Sequence, residues 1–165
     1  MNKIITCVDG SAYSDAVCNA GIWAANKLKK PILFLHAIEK GNAPSKDNLS
    51  GAIGLGARSS LLKEMSALDQ QRNKIALEVG KELLAHAVEL AEQSSCKEIE
   101  KTQRHSDIVE AICDLESDAR FLVIGRSGES HGENFKAIGS HIEQVIRQVH
   151  TPILIANQDF KEPQN

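Results

Sequence analysis

Three short segments of this 165-residue chain combine residue types that suit a nucleotide. Asp9-Gly10-Ser11 closes a β-branched run at 3–9, Gly125-Arg126-Ser127-Gly128 closes an apolar run at 120–125, and Gly139-Ser140 opens an amphipathic stretch. Glycines let backbone N–H groups approach a phosphate without a Cβ in the way, and a helix N-terminus adds unpaired donors and a favourable dipole. Ser140 adds a hydroxyl as cap or ligand. Asp9 would repel phosphate, but its carboxylate can accept hydrogen bonds from ribose hydroxyls or adenine N–H groups. The consistent polarity is sugar and base on Asp9 and phosphates on the glycines. Taken singly, each feature also fits plain structure: glycine is a common turn residue, and Asp9 or Ser11 can cap a helix.

These segments need elements to position them. Residues 3–9 read as a buried strand. Val17, Cys18, Gly21, Ile22, Ala25 and Leu28 recur at helical spacing from Ser14, and lysines crowd the end before Pro31. Residues 31–38 are almost continuously apolar, as in a strand covered on both faces. The Gly, Asn and Ser-rich stretch 39–57 has little apolar surface and is expected to be a flexible excursion loop able to act as a flap. Residues 59–94 keep helical periodicity but exceed the usual helix length of about 8–20 residues, so a break is expected between Leu68 and Arg72.

Residues 97–104 alternate weakly and are polar, as an edge strand is, and Ser106-Asp107 offers a cap for a helix carrying Ile108, Ala111, Ile112 and Leu115. A strand at 120–125, a helix through Ile142, Val145, Ile146 and Val149, and a strand at 151–156 complete a β-α-β-α-β-α-β-α-β order. Alternation of this kind implies an α/β fold: one doubly wound domain with a five-stranded parallel sheet and helices on both faces. In such sheets ligands sit beyond the carboxyl ends of strands, where the strand order reverses. If the first and fourth strands are neighbours there, the three segments share one crevice.

Composition narrows the function. A formal charge of −3 with dispersed Lys and Arg disfavours nucleic acid or an anionic membrane as partner. No apolar stretch approaches a membrane span and no leader pattern opens the sequence, so a cytoplasmic protein without membrane insertion is expected. Cys7, Cys18, Cys96 and Cys113 lack CxxC spacing and read as reduced, mostly structural thiols. His36 reads as a hydrogen-bonded interior histidine and Trp23 as core or a helix–sheet contact. His131, His141 and His150 lack compact metal-ligand spacing, so no protein-held metal is expected. There is no P-loop lysine, Ser-His-Asp arrangement or pair of catalytic carboxylates, and no catalytic residue is nominated.

Together and in this order, the segments resemble the universal stress protein family, whose nucleotide-binding members carry G-x2-G-x9-G-[ST] after the fourth strand and an aspartate ending the first. The resemblance runs from ITCVDGS to TPILIA, a domain at 1–157 with a tail at 158–165. It implies the adenine nucleotide alpha hydrolase-like fold with strand order 3-2-1-4-5. It also implies that ATP, ADP or AMP is bound, with Mg²⁺ on the phosphates. Carried over, Asp9 with the backbone of Cys7 and Val8 would meet ribose and adenine, and Ala37 the base edge. Ile124, Gly125, Arg126, Gly128, Gly139, Ser140 and His141 would line the ribose and phosphates, with Arg126 equally able to face solvent. Two departures stand out: ten residues separate Gly128 from Gly139, and Ser106-Asp107-Ile108 stands where the family often has Gly-x-Pro.

The function implied is a regulatory, homodimeric nucleotide-binding module paired through its closing strand, which no following helix covers, and read by a protein partner. The loop at 39–57 is the candidate sensing element. Alternatives are a member that binds no nucleotide and serves as an interaction module, or a slow ATP hydrolase.

Overall fold

The computed structural model describes residues 2–39, 55–126 and 140–164. The chain runs β1 (Lys3–Cys7), α1 (Ser14–Leu28), β2 (Ile32–Ala37), α2 (Leu55–Gln93), β3 (Ile99–Arg104), α3 (Ile108–Leu115), a 3₁₀ turn (Glu116–Asp118), β4 (Ala119–Gly125), α4 (Ser140–Gln148) and β5 (Ile153–Ala156). The strands form a five-stranded sheet in the order β3-β2-β1-β4-β5, and every pairing is parallel. This is the doubly wound arrangement expected from the alternating pattern.

Strand periodicity sorts the core onto two faces. Ile4 and Val8 of the first strand segment pack with α1 and α2 residues such as Val17, Ile22, Leu84 and Ala87. Ile5 and Cys7 pack the other way, with Val109 and Ile112 of α3 and Val145 of α4. β1 and β2 are buried almost throughout because helices cover both sides, whereas β3 is half exposed, as its polar sequence requires of an edge. Ile146, assigned to the apolar face of α4 by spacing alone, is instead 50% exposed. Ile142 and Val145 suffice to seat this short helix.

Two glycines set how closely the helices approach the sheet. A Cβ on Gly21 would lie 2.2 Å from Thr6 Oγ1, so α1 rests its backbone directly on the central strand. A Cβ on Gly80 would lie 2.5 Å from His36 Cδ2 and collide with Gln103 Nε2, so α2 settles against β2 and β3 at that one turn. α1 then stops through Lys29, which is left-handed (φ 51°) and donates its amide to Ala25 O.

α2 corrects the expected break. It is continuous over 39 residues with no interruption between Leu68 and Arg72. That segment holds neither Gly nor Pro, so nothing local ends the helix, and typical helix length is no physical constraint. Leu84, Ala87 and Ala91 fix its second half in the core, while Leu61, Leu68, Ile75 and Val79 remain exposed. Of the excursion expected at 39–57, residues 55–57 belong to α2. Residues 40–54 lie outside the described residues.

The chain end is tied down by two side chains. Glu116 Oε1 accepts the amides of His150 (2.5 Å) and Thr151 (3.1 Å), fixing the turn into β5. The His150 amide foremost holds this carboxyl below the usual carboxylate range. Beyond β5, Phe160 meets Trp23 edge-on with ring centroids 6.3 Å apart. Phe160→Ala is expected to cost about 1 kcal/mol, the scale of an aromatic pair, and to red-shift the emission of Trp23, the chain's single tryptophan. Urea denaturation and fluorescence check this, and unchanged emission would show that Phe160 does not shield the indole.

Candidate functional site

β1 pairs with β2 on one side and with β4 on the other, with Thr6 opposite both Phe34 and Val123. α1 leaves β1 toward one face and α4 follows β4 onto the other, so the strand order reverses between β1 and β4. The turn at Asp9 and the end of β4 at Gly125 therefore lie side by side at the carboxyl edge, where sheets of this kind open a crevice.

Asp9 is half buried, and its Oδ1 accepts both the amide of Ser11 (3.1 Å) and its hydroxyl (2.5 Å). Ser11 Oγ in turn accepts the Tyr13 amide at 3.3 Å. Asp9 thus closes a local turn with its side chain. The helix N-cap is Tyr13, which makes no side-chain cap bond, and not Ser11. Ser11 sits two residues before the cap position and braces Asp9.

The backbone around Asp9 is already engaged. Val8 donates its amide to Leu35 O at 2.9 Å, and its carbonyl accepts from His36 Nδ1 at 2.9 Å. A carbonyl only accepts, so Nδ1 carries the hydrogen. His36 is hydrogen-bonded, as anticipated from its place in the second strand, but half-buried rather than interior. Burial, then the charge of Asp9, pushes the Cys7 thiol up to about 12, which leaves it unreactive at neutral pH. Cys18 is also buried, whereas Cys113 is exposed and Cys96 half buried, so only two of the four thiols are core.

Across the crevice, Gly125 pairs with Ala156, and the Arg126 amide donates to Ala156 O at 3.0 Å. That amide is committed to the β5 edge. Ile124, Gly125 and Arg126 are half buried. Ser140 begins α4 and His141 lies in its first turn. Gly128 and Gly139 lie outside the described residues. Ala37 ends β2, and two residues later Glu39 Oε1 meets His141 Nε2 at 3.1 Å.

This contact links the end of β2 to the start of α4. Asp107, the N-cap of α3 whose side chain accepts the Val109 amide at 2.7 Å, joins it. One ligand-type atom from each of Glu39, Asp107 and His141 lies within 4.8 Å of the others. Glu39 was not singled out in the sequence, and Asp107 was read only as a cap. The available signal was that both are charged residues just past a strand end, where such sheets place their sites.

The sequence model of the universal stress protein family matches residues 1–157. The chain belongs to this family. Universal stress protein Slr1230 of Synechocystis sp. is 27% identical over 163 residues, covering 98% of this chain; the chain spans 57% of that protein's length. The hypothetical protein MJ0577 superposes with a TM-score of 0.70 at 16% identity, covering 97% of this chain and 98% of that one. A universal stress protein solved in complex with cAMP has a TM-score of 0.61 at 19% identity, with 96% and 98% covered. The universal stress protein of Archaeoglobus fulgidus in complex with dAMP has a TM-score of 0.59 at 19% identity, with 94% and 97% covered. At these identities the structural likeness establishes the fold. Among the described residues no helix is long and apolar enough to cross a membrane.

Proposed function

We propose that this universal stress protein binds an adenine nucleotide in the crevice between β1 and β4 and acts as a regulatory module. The observation that carries the reading is the position of the Asp9 turn at the switch point, beside Gly125 and the N-terminus of α4. Family members of the same fold held cAMP and dAMP in their solved complexes, which supports an adenine nucleotide as the ligand class. In this reading Asp9, with Cys7, Val8 and Ala37 backbone, faces ribose and adenine. Ile124, Gly125, Gly128, Gly139, Ser140 and His141 line the ribose and phosphates, and Arg126 lies at that wall. ATP carries its Mg²⁺ on the phosphates.

Mass spectrometry of the purified protein, followed by calorimetry with ATP, ADP and AMP, tests it. A co-purified adenine nucleotide, or saturable binding of one, is expected. Absence of both would favour the second reading, a module that binds no nucleotide and works through protein contacts. That reading has two observations on its side: the ten residues between Gly128 and Gly139, and the commitment of the Arg126 amide to β5.

Either module is proposed to pair through β5, an edge strand whose Ile155 is 38% exposed. An unpaired strand edge favours addition of a second copy. Ile155→Lys is expected to shift the protein from dimer to monomer in sedimentation velocity, with the melting profile of the monomer retained. A dimer that persists unchanged would place the interface elsewhere.

A further inference from the structure

We infer that Glu39, Asp107 and His141 form a site for a first-row divalent transition-metal ion, held by the protein itself and occupied without nucleotide. The three ligand atoms lie within 4.8 Å of one another and come from three separate parts of the chain: the exit of β2, the N-cap of α3 and the first turn of α4. The Glu39 Oε1 to His141 Nε2 separation of 3.1 Å is that of an ion pair, and it is also close enough for both atoms to share one cation through bonds of about 2.2 Å. One imidazole with two carboxylates suits a borderline ion, whereas Mg²⁺ and Ca²⁺ prefer an all-oxygen set.

Glu39 and Asp107 are exposed and His141 is half-buried; the Asp107 side chain is held by structure outside the set, and the backbone of each of the other two is placed by its element. The bond from the Asp107 carboxylate to the Val109 amide fixes this side chain at the head of α3. The amide of buried Ile38 donates to Arg104 O at 2.7 Å, which holds the exit of β2 beside the end of β3 and so places Glu39 near the β3–α3 turn. Buried Ile142 and Val145 seat α4 and with it His141. Such outer contacts, which orient ligands before the ion arrives, are what a metal site needs from its surroundings.

The site shares His141 with the proposed nucleotide wall but does not depend on that reading. Its test is a titration of chelator-treated, nucleotide-free protein with Co²⁺, followed by calorimetry and visible absorption. One Co²⁺ per chain is expected, with nitrogen–oxygen rather than thiolate bands. Glu39→Gln, Asp107→Asn and His141→Ala are each expected to weaken binding by at least about tenfold. Asp107→Asn keeps a competent helix cap, so its effect reports the lost charge. His86→Ala, at an exposed imidazole paired with Asp15 on the other face of the sheet, is expected to leave binding unchanged.

No stoichiometric uptake, thiolate bands, or unaltered affinity in the three variants would overturn the inference. Uptake only when ATP is present, and indifferent to the three variants, would assign the ion to the phosphates. That result would sink this inference while leaving nucleotide binding standing.

Discussion

Gly21→Ala is expected to lower stability by about 2 kcal/mol, within the range for overpacking a core, and the thermal midpoint by about 4–8 °C for a chain of this size. Alanine is the better helix former by roughly 1 kcal/mol, so helix propensity alone predicts the opposite sign. Packing wins because the new methyl would lie 2.2 Å from Thr6 Oγ1 and 2.8 Å from Thr6 Cγ2. Thr6 is fully buried on the central strand, and among the described residues its hydroxyl has no hydrogen-bond partner. The β-branched side chain has few alternative rotamers, so α1 itself must move.

Thr6→Ala removes the two nearest of those atoms and should make Gly21→Ala less costly, with a coupling of about 1 kcal/mol or more in a double-mutant cycle. Urea denaturation of the four proteins measures it. A midpoint that rises in Gly21→Ala, or additive effects in the cycle, would show that the helix accommodates the methyl without Thr6.

Asp9→Ala should weaken adenosine and ATP binding by about 100-fold, equivalent to about 2.7 kcal/mol. Losing one or two hydrogen bonds to a charged acceptor is worth that much. The substitution also removes the two bonds by which Asp9 holds Ser11, so the turn itself could loosen. Asp9→Asn separates these contributions. Its amide oxygen keeps the local turn while the charge is gone, and an intermediate loss of about tenfold is expected.

Gly128→Val supplies the complementary measurement on the proposed phosphate wall. It should weaken ATP while leaving adenosine nearly unaffected, because a side chain at a phosphate-cradling backbone blocks only the phosphates. Calorimetry with both ligands decides. Undiminished affinity in the Asp9 and Gly128 variants would remove both from the site.

Much of the molecule could be read from its residues. The apolar runs that became β1, β2 and β4, the helical spacing from Ser14, and the turn residues between them reflect local propensity and patterning, which act over a few residues. The polarity of β3 marked it as an edge before any pairing was known. Asp9 and Gly125 were noticed because they stand together at strand ends of a doubly wound pattern, although each taken singly has a local use. The break assigned to α2 failed for the opposite reason: it leaned on typical helix length where the residues themselves contain nothing that stops a helix. Ser11 was read as the cap of α1 because serine is a good cap, yet the helix starts three residues later, with Ser11 bound to Asp9.

The sequence by itself therefore determined the element order, the fold family and the two strand ends at which the nucleotide site is proposed. Only the tertiary structure decided that α1 lies directly on Thr6, that α2 closes on His36 and Gln103 at Gly80, and that the amides of Val8 and Arg126 are engaged. It alone brought Glu39, Asp107 and His141 together. Periodicity reports each residue's near neighbours along the chain, whereas these contacts join positions far apart in sequence. They exist only once the crossovers place β2, α3 and α4 at the same edge of the sheet.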